Sequence, residues 1–229
     1  MKTTKMSLVA LLSSGLLFAE SLGDINGALK VGTLGYGVDL SSPFNDSLAF
    51  RLNMNGFSMT RTDSQDGTDF EGTLDLFTVG ALLDYYPTST NFRLSTGIYY
   101  NGNGFSGNAK PSTGTTVNID GNTYTLGEFG DIGSLSTDLT FGSSTAPYIG
   151  IGWGNDAHDK GWGFTFDLGA MYHGIPEAKL KVKDINPNLP TATVTQIEND
   201  VADEEQSINN DLADFKFYPV ISLGVNYTF

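Results

Sequence analysis

The sequence predicts an all-β protein: an eight-stranded antiparallel transmembrane β-barrel with long extracellular loops. Three observations carry that expectation. The chain opens on an export leader, it alternates apolar and polar residues with period two over membrane-spanning lengths, and its last strand keeps alternating up to a closing aromatic ring.

The leader, MKTTKMSLVALLSSGLLFAES, sets Lys2 and Lys5 before an apolar run from Met6 to Phe18 and then small Ala19. That is the layout of a secretory signal peptide. Residues 1–19 are expected to be the signal and 20–229 the barrel, with cleavage after Ala19 or after Ser21. The chain has 12 Lys and Arg against 26 Asp and Glu, a net charge of −14, and losing the leader makes it more acidic. Phosphate recognition needs clustered cations, so a nucleic-acid partner is disfavoured. With no cysteine there is no disulfide framework, thiolate metal site or lipidated anchor. Beyond the leader no apolar run approaches the roughly 18 residues of a membrane helix, which leaves a soluble periplasmic domain or an outer-membrane barrel.

Strand patterns fall at 28–41, 46–60, 71–86, 91–103, 137–154, 160–174 and 216–229. Single-chain bacterial barrels have an even number of strands. The eighth comes from a turn at GTLG inside the first segment, with one strand near 25–32 and the next from Tyr36; alternatively AKLKVKDI (178–185) pairs outside the membrane as an extension of its neighbour. The pattern is clearest where Trp162, Phe164, Phe166, Leu168, Ala170 and Tyr172 alternate with Gly161, Gly163, Thr165, Asp167, Gly169 and His173. It repeats in Phe92, Leu94, Thr96, Ile98 and Tyr100, and in Leu48, Phe50, Leu52 and Met54. A soluble sandwich would alternate too. Two further features favour the membrane. Glycine is frequent on the polar face, which suits the crowded interior of a narrow barrel. Trp153, Trp162, Tyr85, Tyr86 and Phe92 flank the short turns, as an interfacial aromatic girdle does. In the last strand Phe229, Tyr227 and Val225 face one way, a pattern similar to the C-terminal signal read by the barrel-assembly machinery.

Connections at 42–46, 87–91 and 155–160 are short and expected on the periplasmic side; those at 61–70, 104–136 and 175–215 are long and expected outside. Within 104–136, IDGN reads as a hairpin turn. Within 175–215, Ile197, Val201, Ile208 and Leu212 keep near-helical spacing, with acids on the other face, so a surface helix over the barrel mouth is expected.

The candidate chemistry is sparse. Asp63, Asp66, Asp69 and Glu71 share a loop, but their spacing does not match a calcium loop, and no metal or cofactor is expected. The two histidines, His158 and His173, have no neighbours that would make a nucleophile pair, so no catalytic residue is assigned. The inward candidates are Asp39, Arg51, Asp84, Arg93, Asp167, His173 and Lys216, with Tyr99, Tyr148 and Tyr218. An eight-stranded interior is just wide enough for side chains, so these groups form a salt-bridge plug or line a narrow gated path whose acids attract cationic solutes.

VGTLGYG (31–37), NIDGNTY (118–124), APYIGIGWG (146–154), GWGFTFDLGAMYHGIPEAKL (161–180) and FYPVISLGVNYTF (217–229) together resemble the CarO-type outer-membrane proteins, in the same order. The resemblance implies an eight-stranded barrel, linked at family level to uptake of basic amino acids such as ornithine and to carbapenem entry. It supplies no motif from which site residues can be carried over. The leading expectation is a monomeric outer-membrane channel or uptake porin for small solutes, with cationic ones such as basic amino acids the candidates. The alternative is a structural or binding barrel whose acidic loops contact cations, lipopolysaccharide or other cells.

Overall fold

The computed structural model describes residues 25–65, 68–87, 91–111, 115–127, 130–154 and 160–229; the expected signal, together with Asp66 and His158, lies outside them. The first segment is two strands. β1 (Asn26–Gly32) turns at Thr33 and Leu34 into β2 (Gly35–Asn45). Gly35 has φ +95, and a Cβ there would meet Gly56 O at 2.7 Å, so the turn demands glycine. β3 (Leu48–Gln65), β4 (Thr68–Tyr85) and β5 (Phe92–Asn101) follow. After them come β10 (Thr145–Trp153), β11 (Gly161–Tyr172) and β13 (Phe217–Thr228). Every neighbour is antiparallel, in the order β1-β2-β3-β4-β5-β10-β11-β13, and β13 pairs β1 from Asn26↔Thr228 to Gly32↔Ser222. The result is a closed eight-stranded barrel. Closure leaves no backbone edge to face hydrocarbon.

The apolar rows point outward. Phe164 is 82% exposed, and Leu29, Val31, Phe50, Leu52, Val79, Leu83, Leu94, Ile98, Ile149, Leu168, Leu223 and Val225 are exposed with it. No layer of protein covers them, so this surface is the lipid-facing band. Aromatic pairs rim both ends. At the end holding the short turns, Phe92 meets Trp153 at 4.8 Å between ring centroids and Trp162 meets Tyr227 at 5.2 Å. At the other end, Phe77 meets Tyr100 at 6.2 Å and Tyr172 meets Phe217 at 5.2 Å. Tyr86 is not part of this girdle: it is only 6% exposed. Successive strand residues point to opposite faces, so with Tyr85 outward its neighbour turns in.

Above the barrel the structure departs from the sequence reading. Residues 61–65 and 68–70, expected as part of a loop, continue β3 and β4 as a ladder paired out to Gln65↔Thr68. Asp63 and Glu71 therefore point to opposite faces of a ladder. The segment 137–154 breaks at Phe141–Ser144, where Gly142 has φ +66 and a Cβ would run into His173 O. Its first part is a separate strand, β9 (Ser134–Thr140). β6 (Gly104–Pro111) pairs the upper half of β4, β9 pairs β6, and β12 (Glu177–Lys183) pairs β9. AKLKVKDI thus adds to a sheet outside the membrane, while the eighth barrel strand comes from the first segment.

A small lid sits on this sheet. β7 (Thr115–Ile119) and β8 (Asn122–Leu126) form a hairpin whose corner residues Asp120 and Gly121 both have positive φ, as the IDGN turn requires. The expected helix is α1 (Thr191–Leu212). Ile197 and Val201 bury against Ile119, Tyr124, Leu126 and Ile132, with Leu180 and Val182 of β12 packed below. Among the described residues no helix is long and apolar enough to cross a membrane; the chain crosses with strands.

Candidate functional site

Inside the barrel, six charged side chains from six strands meet at one level: Lys30, Asp39, Arg51, Asp84, Arg93 and Asp167, all buried. Each stands on the inward parity of its strand, which the lipid-facing row fixes on the other parity. Arg51 is central. Its Nε and Nη2 donate to both oxygens of Asp84 at 2.8 and 2.9 Å, and its Nη1 lies 3.2 Å from Asp39 and 3.2 Å from Asp167. Lys30 Nζ bridges Asp39 at 2.7 Å and Asp167 at 3.0 Å. Arg93 Nη2 donates to Asp167 at 2.6 Å, and its Nη1 donates to Gly154 O. Ser95 and Ser222 donate to Asp84 and Asp167 at 2.5 and 3.1 Å, and Asn53 to Asp39 at 2.5 Å.

Three cations thus balance three anions, and the remaining lone pairs are taken by hydroxyl and amide donors. Isolated burial of any of these charges would cost many kcal/mol; pairing and hydrogen bonding are what make the interior tolerable. Glycines on the inward face leave the room. A Cβ at Gly152 would meet the Arg93 guanidinium at 2.7 Å, and one at Gly169 the Tyr148 hydroxyl at 2.5 Å.

Toward the outer mouth the charges give way to an apolar stopper of Leu34, Leu82, Tyr99, Ala146, Tyr148, Met171 and Val220, with Tyr99 and Tyr148 edge to face at 5.5 Å. Leu34 comes from the β1–β2 turn, which folds inward and is held by Tyr218 Oη donating to Thr33 O at 2.6 Å. A cavity of about 10 Å³ remains between Lys30, Asn53, Asn55 and Tyr99, room for a single water.

His173 lies above this stopper, past the end of β11, packed against Phe141 and Tyr218. Its Nδ1 has no hydrogen-bond partner among the described residues. Burial lowers its pKa. Asp167, on the same face, is committed to Lys30, Arg51 and Arg93 and does not orient it.

Of the sequence-predicted interior residues, Asp39, Arg51, Asp84, Arg93 and Asp167 form one network, Tyr99 and Tyr148 cap it, and Tyr218 and His173 sit at the mouth. Lys216 is a correction. It precedes β13 and is partly exposed; its carbonyl accepts from His173 N–H at 3.1 Å, and it belongs to the mouth rather than the lumen. Lys30 was missed. The alternation of ALKVG carries its signal, Leu29 and Val31 outward and Lys30 inward, but that parity is readable only once the first turn is placed. At the other end of the barrel, Val225, Tyr227 and Phe229 are exposed on the outward face of the last strand.

No family model matches the chain, and no curated protein matches it. Among solved structures, it is similar to the crystal structure of Acinetobacter baumannii CarO2, with 25% identity over 90% of this chain and 98% of that one and a TM-score of 0.58. It is also similar in fold to Acinetobacter baumannii CarO, with 24% identity over 89% and 97% of the two chains and a TM-score of 0.56. With its closed barrel, lipid-facing apolar band and girdled ends, the chain has the CarO-type outer-membrane barrel fold and is a protein of the bacterial outer membrane.

Proposed function

We propose that the chain is a non-conducting outer-membrane barrel whose working part is the folded module it displays outside the cell. The observation that carries this reading is the balanced six-charge network across the barrel, closed above by an apolar stopper. A solute path would require both to yield. The acidic lid and outer sheet are then the surface that meets cations, lipopolysaccharide or another cell, while the exposed row ending at Phe229 serves recognition by the assembly machinery.

The rival reading is the uptake channel for small cationic solutes such as basic amino acids. What favours it is that Asp39, Asp84 and Asp167 all face the axis, so displacing Lys30, Arg51 and Arg93 would bare three anions. Planar-bilayer recording on the refolded chain, together with liposome swelling in lysine, separates the two. The expected result is no resolved conductance and no lysine flux. Discrete steps whose cation preference falls in Asp84→Asn or Asp167→Asn would overturn the non-conducting reading in favour of the channel.

A further inference from the structure

The outer sheet ends at β12, and an end strand presents unpaired backbone groups that invite another strand. Here those groups are taken by side chains of α1. Asn209 accepts from Ala178 N–H through its Oδ1 at 2.8 Å and donates through its Nδ2 to Ala178 O at 3.0 Å, reproducing with one amide the pair of bonds a neighbouring strand would make. Two residues on, Leu180 N–H donates to Glu205 at 2.8 Å. The helix thus stands in for a missing strand along that edge.

The anchoring of α1 is uneven. Its buried residues, Ile197, Asp200 and Val201, all lie in its first half. The second half has none; it reaches the sheet through Glu205 and Asn209, and the tip of the lid hairpin through Glu204, which accepts from Asp120 N–H at 3.0 Å. The helix carries six acids and no Lys or Arg, so its charges repel one another, and Asp211 sits near the end where the helix dipole disfavours an anion. On the open face of β12, Lys179, Lys181 and Lys183 stand in one exposed row. Lys179 and Lys181 pair with Glu177 and Asp138 at 3.2 and 3.0 Å, but those exposed pairs are exchangeable. The other face of the strand is apolar, through Ala178, Leu180 and Val182.

We propose that the β12 edge is an acceptor site for an extended peptide that alternates acidic and apolar residues, held in reserve by the second half of α1. Such a peptide would pair its backbone where Asn209 and Glu205 now bond, lay its acids along the lysine row and add its apolar side chains to the lid core. The row also disfavours a second copy of this chain as the added strand, because antiparallel self-pairing centred on Leu180 sets Lys179 opposite Lys181 twice. The proposal rests on the reading of the outer module as the working part, yet its test does not depend on whether the barrel conducts.

The probe is a fluorescein-labelled synthetic peptide alternating Asp and Val, titrated by anisotropy against the full chain folded in detergent. Glu205→Ala with Asn209→Ala frees the edge and should bind it about tenfold more tightly than the parent. Adding Lys179→Glu, Lys181→Glu and Lys183→Glu should abolish that binding. Because the chain has no cysteine, Ala178→Cys with Asn209→Cys gives one engineered disulfide that locks α1 down, and the oxidised form should lose whatever binding the parent shows and regain it on reduction. Equal affinity of the parent and the freed variant, binding that survives the lock, or equal binding of a Lys–Val peptide would each overturn the proposal. So would light scattering showing the freed variant dimerising without taking peptide, which would make a second copy the partner.

Discussion

Asp84 shows how much the interior depends on balance. Both its oxygens are held by Arg51 and one also by Ser95, so Asp84→Asn leaves a buried guanidinium without its main partner. The expected cost is about 3–5 kcal/mol, read as a lower urea midpoint for loss of the compact gel band, against about 0.5 kcal/mol or less for exposed Asp63→Asn. Removing Arg51 and Asp84 together leaves Lys30 and Arg93 facing Asp39 and Asp167, again neutral, so Arg51→Met with Asp84→Leu should cost clearly less than the two single changes summed. Additive costs would show that the six groups do not act as a unit. His173 makes a second prediction at this scale. Burial holds its folded pKa below the usual value of 6.5. The unfolded mouth therefore binds the proton more readily, and the stability from neutral His173 is present above pH 6.5 and lost as pH falls through the lower folded value. Hydrogen-exchange protection of Ser143 N–H, which donates to His173 O at 2.6 Å, should fall in that window after correction for intrinsic rates. In His173→Phe it should not. Most of this interior was legible because parity against an apolar row identifies inward residues. Lys30 is not, because its parity depends on where the first turn falls, and Lys216 lies before the start of β13 at Phe217, where alternation no longer assigns a face.

The long β3–β4 hairpin shows why one element escaped the sequence reading. Eighteen residues per strand span about 60 Å at roughly 3.3 Å each, about twice the hydrocarbon thickness. The phase of the alternation reverses on the way. Low in the barrel the outward face carries Phe50, Leu52, Val79 and Leu83; higher up the same face carries Ser58, Thr60, Glu71, Thr73 and Asp75, while Leu74 and Phe105 take the inner side. Ser58 Oγ donates to Asp75 at 2.5 Å, and the Thr60 and Thr73 hydroxyls bond at 3.0 Å. Lipid demands apolar residues outside and water demands polar ones, so a strand that leaves the membrane must swap its faces. Read linearly, the swap looks like the end of a strand, and TRTDSQDGTDFEG looks like a polar loop. The reversal also marks the outer membrane boundary near Asp75. Arginine at Leu52, exposed midway between the girdle levels of Tyr85 and Phe77, should cost about 2–4 kcal/mol, while arginine at Thr60, above the boundary, should stay within about 0.5 kcal/mol. Urea midpoints in lipid vesicles check both, and equal costs would move the boundary.

At the scale of the whole molecule, the described residues build two cores with no residue in common. One lies around Leu82, Tyr99, Tyr148 and Met171 inside the barrel, and the other around Ile119, Tyr124, Leu126, Ile132, Ile197 and Val201 in the lid. They are coupled through β4, β6, β9 and β12, yet they differ in kind: the barrel is closed and embedded in lipid, while the lid is a hairpin and a helix on an open sheet. The lid should therefore unfold first, and Tyr124 supplies a way to trigger it. Burial and the hydrogen bond its hydroxyl donates to Asp200 raise its pKa from 10.0 to about 12. The lid gains this stability below pH 10 and loses it as the pH rises through about 12, because the unfolded phenol gives up its proton first. An alkaline titration should accordingly abolish the near-ultraviolet circular dichroism of the lid while the unheated gel band of the folded barrel persists. Tyr124→Phe, which cannot ionise, should shift lid loss to higher pH and leave the barrel band unchanged. Loss of both signals at one pH in the parent would mean that lid and barrel form a single cooperative unit, and the outer module could then not rearrange while the barrel stays folded.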